Sequence, residues 1–108
     1  MADRQKQALA ALDRVVMLLE RLDGLDTAWH EATGGWTIDT RASWLQRFGD
    51  LRSRIETSGD IEHESTQLVR ALENDGIVGG DVADAVADLQ WRLERLRDQR
   101  SKRAADGR

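Results

Sequence analysis

The last third of the sequence carries a strict heptad of apolar residues, and this pattern limits the fold more than any other feature. The heptad consists of Val82, Val86, Leu89, Leu93 and Leu96. Their spacing of four, three, four and three places them in one narrow line along an α-helix, as in coiled coils and helical bundles. The line ends where Arg100 and Arg103 take the next two positions. The pattern therefore predicts a long last helix that packs against at least one other helix.

Three earlier segments also repeat their apolar residues at helical spacing, and no segment alternates as a strand does. The first stripe is the widest, and its rhythm continues through Gly24 to Trp29 and Ala32. Glycine inside a helix costs only about 1 kcal/mol relative to alanine. The rhythm therefore predicts one long first helix over residues 3–33, with Gly34 as its left-handed C-terminal residue.

Two shorter helices are predicted between the first and the last. The second helix begins after Asp39, which is a good N-cap, and the third begins at Asp60. The third helix ends at Gly76, where Ile77 is expected to fold back onto Leu72 in a Schellman motif. Because the connections are short, neighbouring helices should be antiparallel.

The predicted fold is all-α: an antiparallel bundle of about four helices, of which the first and last are the longest. A chain of 108 residues suits a single domain with a modest core. We assign this helical domain to residues 1–103 and a frayed basic tail to residues 104–108. The strict heptad also predicts self-association, because a narrow seam requires a partner helix.

Composition excludes several classes of function. The sequence has no cysteine, so it offers neither a disulfide framework nor thiolate ligands for zinc. It contains no tyrosine, no glycine-rich phosphate loop and no Gly-x-Ser-x-Gly elbow, so we expect neither catalysis nor a cofactor. No apolar run approaches the roughly 20 residues of a membrane span, and no signal peptide is recognisable. These features predict a cytoplasmic protein without membrane contact.

A metal-dependent helical enzyme is one alternative. Asp26 and His30 lie one helical turn apart, and Asp60, His63 and Glu64 form a second cluster. Carboxylates and histidines on facing helices build di-metal centres in bundles, but those centres need a Glu-x-x-His motif on each of two helices. Neither histidine has a glutamate three residues before it. We therefore expect no bound metal.

Nucleic-acid binding is a second alternative, and it depends on charge. Residues 91–108 hold seven bases against three acids, whereas residues 60–90 hold eight acids against Arg70 alone. A basic segment of this kind binds phosphates. Residues 65–80, which end in Leu-Glu-Asn-Asp-Gly-Ile-Val-Gly-Gly, also resemble the recognition helix and its exit in winged-helix DNA-binding domains. The resemblance implies a regulator that reads DNA, but the acidic surroundings oppose phosphate contact, so we expect weak binding at most.

Tryptophan supplies the remaining signal. Trp29 and Trp44 continue the apolar stripes of their predicted helices and should pack together where those helices meet. Trp36 lies in the predicted loop and belongs to no stripe. Trp91 falls on the side of the last helix opposite the heptad.

Trp91 therefore lies where the predicted core cannot use it. Tryptophan and arginine are enriched among the residues that dominate protein interfaces, and Arg92 and Arg95 accompany Trp91. We predict that Trp91, Arg92, Arg95 and Trp36 contact a partner. The function predicted is a non-catalytic protein–protein interaction module, namely an adaptor, regulator or assembly subunit, that also forms a homodimer.

Overall fold

A computed structural model describes residues 2–106, which form four α-helices and one short 3₁₀ turn. The elements are α1 (Ala2–Glu20), the 3₁₀ turn (Glu31–Thr33), α2 (Ile38–Glu56), α3 (Glu64–Asn74) and α4 (Asp81–Asp106). No strand occurs within residues 2–106, so the predicted all-α bundle of four helices is confirmed. The last helix is the longest, with 26 residues, but the first is no longer than the second, since each has 19.

The helices pack as antiparallel neighbours. α1 packs against both α2 and α4, and α4 packs against both α1 and α3. The Arg41 side chain at the start of α2 donates a hydrogen bond of 2.9 Å to the Leu22 carbonyl just beyond the end of α1. In the second half of α4, the Arg97 side chain donates a hydrogen bond of 3.1 Å to the Ser65 hydroxyl at the start of α3. These end-to-end contacts fix the alternating direction of the chain.

The heptad of α4 is buried within the chain itself. All five of its residues belong to one core cluster to which every helix contributes. Trp36, Trp44 and Phe48 are the largest side chains of this core, and the Trp44 and Phe48 rings lie 5.3 Å apart. The partner helices that the heptad requires are therefore α1 and α3. The heptad by itself gives no reason for a second copy of the chain.

The first helix ends earlier than the sequence predicts. α1 stops at Glu20, and residues 21–37 form a folded loop instead of the last turns of a helix. Gly24, with a φ of +72°, lies outside the right-handed helical region, so no helix can continue through it. Asp26 then holds the loop together: its carboxylate accepts a hydrogen bond from the Ala28 amide at 2.8 Å, and its carbonyl accepts one from the Ile38 amide at 2.9 Å. The prediction of one helix over residues 3–33 is therefore wrong.

Two tryptophans of this loop take positions opposite to those predicted, one on the surface and one in the core. Trp29, predicted to pack beside Trp44, is 52% exposed, whereas Trp36 is only 2% exposed. The exchange occurs because the loop folds back and inserts Trp36 into the core ahead of α2. Trp44 is buried as predicted.

The predicted ends of the middle helices are partly correct. α3 ends in the expected Schellman motif: the Ile77 amide donates to the Leu72 carbonyl at 3.2 Å, and the Gly76 amide donates to the Glu73 carbonyl at 3.0 Å. The N-cap of α2 is Thr37 rather than Asp39, because Thr37 and Thr40 form a reciprocal capping box.

Two further boundaries differ from the sequence prediction. α3 begins at Glu64, since Asp60 caps a preceding turn through the Glu62 amide at 2.9 Å. α4 continues to Asp106, so the predicted tail over residues 104–108 is helical as far as that residue. Residues 107 and 108 lie outside the described residues.

The loop before α2 and the loop after α3 lock together at one end of the bundle. The Val78 amide donates to the Gly34 carbonyl at 2.9 Å, and the Trp29 indole donates to the Gly76 carbonyl at 2.8 Å. Gly35, with a φ of +91°, lies so close to Gly76 that an added Cβ would overlap the Gly76 carbonyl oxygen. Only glycine fits at position 35.

We predict that Gly35→Ala destabilises the fold by about 2–4 kcal/mol, because the new methyl group meets backbone and the positive φ disfavours an L side chain. The matched control is Gly49→Ala within α2, where nothing lies within 4 Å of an added Cβ. This control should raise stability by about 0.5–1 kcal/mol.

Urea unfolding followed by circular dichroism compares both variants with the original protein. Equal midpoints for Gly35→Ala and the original protein would show that the two loops do not lock as described.

Candidate functional site

Trp91 lies on the outer side of α4, opposite the core. Its side chain is 49% exposed, although α4 is a central helix with neighbours on both flanks. The guanidinium groups of Arg95 and Arg92 lie 4.8 Å and 5.4 Å from the centre of the indole ring, within the range of cation–π attraction. We call this exposed side of α4 the Trp91 face. It consists of Asp84, Ala87, Asp88, Trp91, Glu94 and Arg95.

The surroundings of Trp91 are held in place by α1. Arg92 bridges Asp88, one turn earlier on α4, at 3.4 Å and the Gln7 amide oxygen of α1 at 3.3 Å. Arg4 of α1 donates to the Arg95 carbonyl at 3.1 Å. Because the Trp91 face belongs to a packed helix, a partner that binds it would order few additional groups.

The charge of α4 changes sign at Trp91. Before this residue the helix exposes Asp81, Asp84 and Asp88. These carboxylates line a shallow cleft of about 330 Å³ that contains one base, Arg14 of α1. After Trp91 the exposed or half-exposed bases are Arg92, Arg95, Arg97, Arg100, Lys102 and Arg103, against Glu94 and Asp98. The single exposed tryptophan of α4 thus marks the boundary between an acidic and a basic half.

Trp36 does not share this surface. It lies inside the core, so it presents no surface to a partner in this conformation, and we leave it out of the candidate site. Its indole N–H has no hydrogen-bond acceptor among the described residues. The structure therefore brings together three of the four predicted partner residues, Trp91, Arg92 and Arg95.

A cleft that the sequence analysis missed lies beside Trp36. It has a volume of about 390 Å³ and is bounded by the end of α1, the folded loop and the start of α4. Leu18, Leu22 and Leu25 form apolar walls, and Arg21 and Asp23 also line it. The cleft exists because the chain reverses after Glu20. Gly24 and the Gly34–Gly35 pair were the signals for this reversal, but the continuous apolar rhythm of the first segment concealed them.

A second exposed apolar area lies at the loop end of the bundle. Trp29, Ile38 and Val78 are all exposed. Hydrogen bonds hold Trp29 and Val78 in the two locked loops and tie Ile38, the first residue of α2, to the Asp26 carbonyl. Unlike Trp91, these residues have no guanidinium stacked on them in any described contact.

The side chains proposed as metal ligands in the alternative of a metal-dependent enzyme form other contacts. Glu64 accepts two hydrogen bonds from Arg54, at 2.9 Å and 2.8 Å, and Asp60 caps the turn before α3. His30 pairs with Asp26 at 2.9 Å, and the hydrogen bond from His30 holds the pKa of the Asp26 carboxyl below its ordinary value. Within residues 2–106 no three His, Cys, Asp or Glu side chains converge as metal ligands would.

Part of the basic segment is committed to the fold. Arg100 donates to the Ile55 and Gly59 carbonyls at 2.8 Å and 3.0 Å, and so caps the end of α2. Burial at this site lowers the pKa of Arg100 from its ordinary value. Arg97 donates hydrogen bonds to the Ser65 hydroxyl and the Asp98 carboxylate. Arg97 and Arg100 therefore serve contacts within the chain, as Arg92 does through Asp88 and Gln7.

The winged-helix resemblance covers α3 and its exit. In winged-helix domains a β-strand wing follows this helix, but here α4 begins at Asp81 and the described residues contain no strand. The Gln90 side chain of α4 accepts a hydrogen bond from the Val69 amide at 2.8 Å, which ties one side of α3 to α4.

Comparisons with protein-family models, with curated proteins and with solved structures find no match for this chain. None of the helices formed by residues 2–106 combines the length and the apolar character that crossing a membrane requires.

Two neighbouring residues of α4 should respond differently to truncation. Leu93 is fully buried, so we predict that Leu93→Ala costs about 2–5 kcal/mol of stability. Trp91→Ala should cost about 1 kcal/mol or less, since it removes a half-exposed ring and its contacts with two arginines. Thermal melts of the two variants test this difference, and equal losses would place Trp91 in the core.

The Arg54–Glu64 pair predicts a dependence of stability on pH. Burial is the largest single effect on the Glu64 carboxyl and acts to raise its pKa, but the hydrogen bonds and the positive charge of Arg54, together with a backbone hydrogen bond, outweigh it. The pKa of Glu64 therefore lies below its ordinary value. Such a group contributes stability above its ordinary pKa of 4.5, and this contribution is lost as pH falls through the folded pKa. Glu64→Gln should therefore cost more stability at neutral pH than below pH 4.

Urea unfolding at both pH values measures this cost, and Glu56→Gln, an exposed change at the end of α2, is the control. A cost for Glu64→Gln that does not change with pH would contradict the assigned role of the Arg54 contact.

Proposed function

We propose that this protein is a small helical protein–protein interaction module, an adaptor, regulator or assembly subunit that works in the cytoplasm without catalysis. The observation that carries the proposal is the half-exposed Trp91 on the outer side of α4, with the guanidinium groups of Arg92 and Arg95 over its ring. The heptad on the opposite side already has its partners in α1 and α3. Trp91 therefore contributes little to the core of this chain.

The chemistry of the Trp91 face suits protein recognition. A tryptophan loses little conformational freedom on binding and buries a large apolar area, and arginine beside it adds directional hydrogen bonds. Such residues dominate binding energy where they cluster at the centre of an interface. On this face the acidic and basic side chains surround the indole, and this distribution favours one orientation of a partner over others.

The alternative of nucleic-acid binding has less support. Arg97 and Arg100 use their donors within the bundle, and the N-terminal half of α4 exposes three carboxylates. A protein that binds phosphates through a few remaining bases would do so weakly and with a steep dependence on salt. Enzymatic use of a metal has no converging ligand set within the described residues.

The test of the proposal is co-purification from the native host with tagged protein, with and without nuclease. We expect at least one protein partner that survives nuclease treatment and that Trp91→Ala loses, since removal of a central tryptophan weakens binding by about 2 kcal/mol or more. Met17→Ala is the control, because it removes an exposed apolar side chain from α1, outside the Trp91 face.

Partners retained by Trp91→Ala would count against the Trp91 face. Partners that disappear with nuclease would favour the nucleic-acid alternative.

A further inference from the structure

We infer that the Trp91 face binds the same face of a second copy of this chain, with the two α4 helices antiparallel about a twofold axis at Trp91. The inference rests on the proposed function and specifies the partner. Its starting point is the change of charge along α4, which is acidic before Trp91 and basic after it. Such a surface complements itself only when the second copy is reversed, and a twofold axis produces this reversal.

The spacing of Asp88 and Arg95 fits this arrangement. At 1.5 Å per residue, Asp88 lies about 4.5 Å before Trp91 along the helix axis and Arg95 lies about 6 Å after it. The two are seven residues apart, close to two full turns, so they project on the same side of the indole. The twofold axis keeps that side and reverses the direction. Asp88 of one copy therefore meets Arg95 of the other, within an axial offset of about 1.5 Å, and the dimer contains this contact twice.

Other charged residues of α4 are also compatible with this antiparallel alignment of the two helices. Glu94 projects on the opposite side of Trp91 from Arg95, where it faces Ala87 of the second copy. Asp81 and Lys102 lie ten residues before and eleven residues after Trp91, so they form a second, outer pair of opposite charges. The acid-lined cleft around Arg14, with three carboxylates and one base, is the surface that receives this lysine.

The same geometry limits the strength of the dimer. Asp84 of one copy approaches Asp98 of the other, although Asp98 is partly neutralised by Arg97 at 3.2 Å. Each copy contributes one large apolar side chain, so the buried area falls at or below the roughly 1,200 Å² of weak, transient complexes. We expect a dissociation constant in the micromolar range or weaker, which rises with salt because its central contacts are ionic.

Sedimentation equilibrium of the purified full chain, from about 10 µM to 1 mM protein at low salt, tests this pairing by charge reversal. Asp88→Arg and Arg95→Asp each replace two attractive contacts in the dimer by two repulsive ones, and each should weaken the dimer about tenfold or more. An equimolar mixture of the two variants should associate again, because every contact between unlike copies is once more between opposite charges. The double variant Asp88→Arg/Arg95→Asp should also recover the dimer.

Controls of equal net charge come from α3. Glu73→Arg and Arg70→Asp are exposed changes outside the Trp91 face and should leave association unchanged. A thermal melt of each variant shows that it is folded before sedimentation.

Recovery in the mixture is the decisive result, because it requires residue 88 of one copy to contact residue 95 of another. An original protein that stays monomeric up to 1 mM overturns the self-pairing, as does a dimer that survives both charge reversals or one that the mixture fails to restore. None of these results bears on the proposed function. That function stands or falls on whether Trp91→Ala loses a protein partner from the native host.

Discussion

The burial of the α4 heptad between α1 and α3 is the contact on which the rest of the structure depends. A 26-residue helix with one narrow apolar line can hide only that line, and here two neighbouring helices cover it. Polar contacts then fix the rotation of α4: Arg92 reaches Gln7 on one flank, and Gln90 reaches the backbone of Val69 on the other. With both flanks fixed, the opposite side of α4, which carries Trp91, has to face outwards.

A second set of contacts joins α2 to α3 and joins the two loops at one end of the bundle. α2 and α3 are held to each other by side chains near their ends. The Trp44 indole donates to Asp75 at 2.7 Å, and Arg54 forms its two bonds with Glu64 at the other end. Gly35 allows the two loops to touch backbone to backbone. The core is thereby closed with no contribution from Trp91. The exposed Trp91 side chain remains available for binding a partner.

Several features of the structure follow from the sequence. The heptad, the Schellman end of α3 at Gly76 and the outward position of Trp91 all depend on residues within a few turns of one another, so local periodicity and glycine geometry are enough to predict them. The candidate surface around Trp91, Arg92 and Arg95 could be found because it lies on a single regular helix. The cleft beside the end of α1 could not, because no single element builds it.

The sequence by itself determined the helical class, the number of helices and which side of α4 is apolar, since each of these is written in the spacing of neighbouring residues. Only the tertiary structure decided where α1 ends and which tryptophan enters the core. The stretch from Leu22 to Ala32 keeps a helical rhythm, and that rhythm is compatible with a helix carrying Trp29 inwards. The loop forms instead because it delivers Trp36 to the core and lets Gly35 meet Gly76, two gains that involve residues distant in sequence and that no local pattern records.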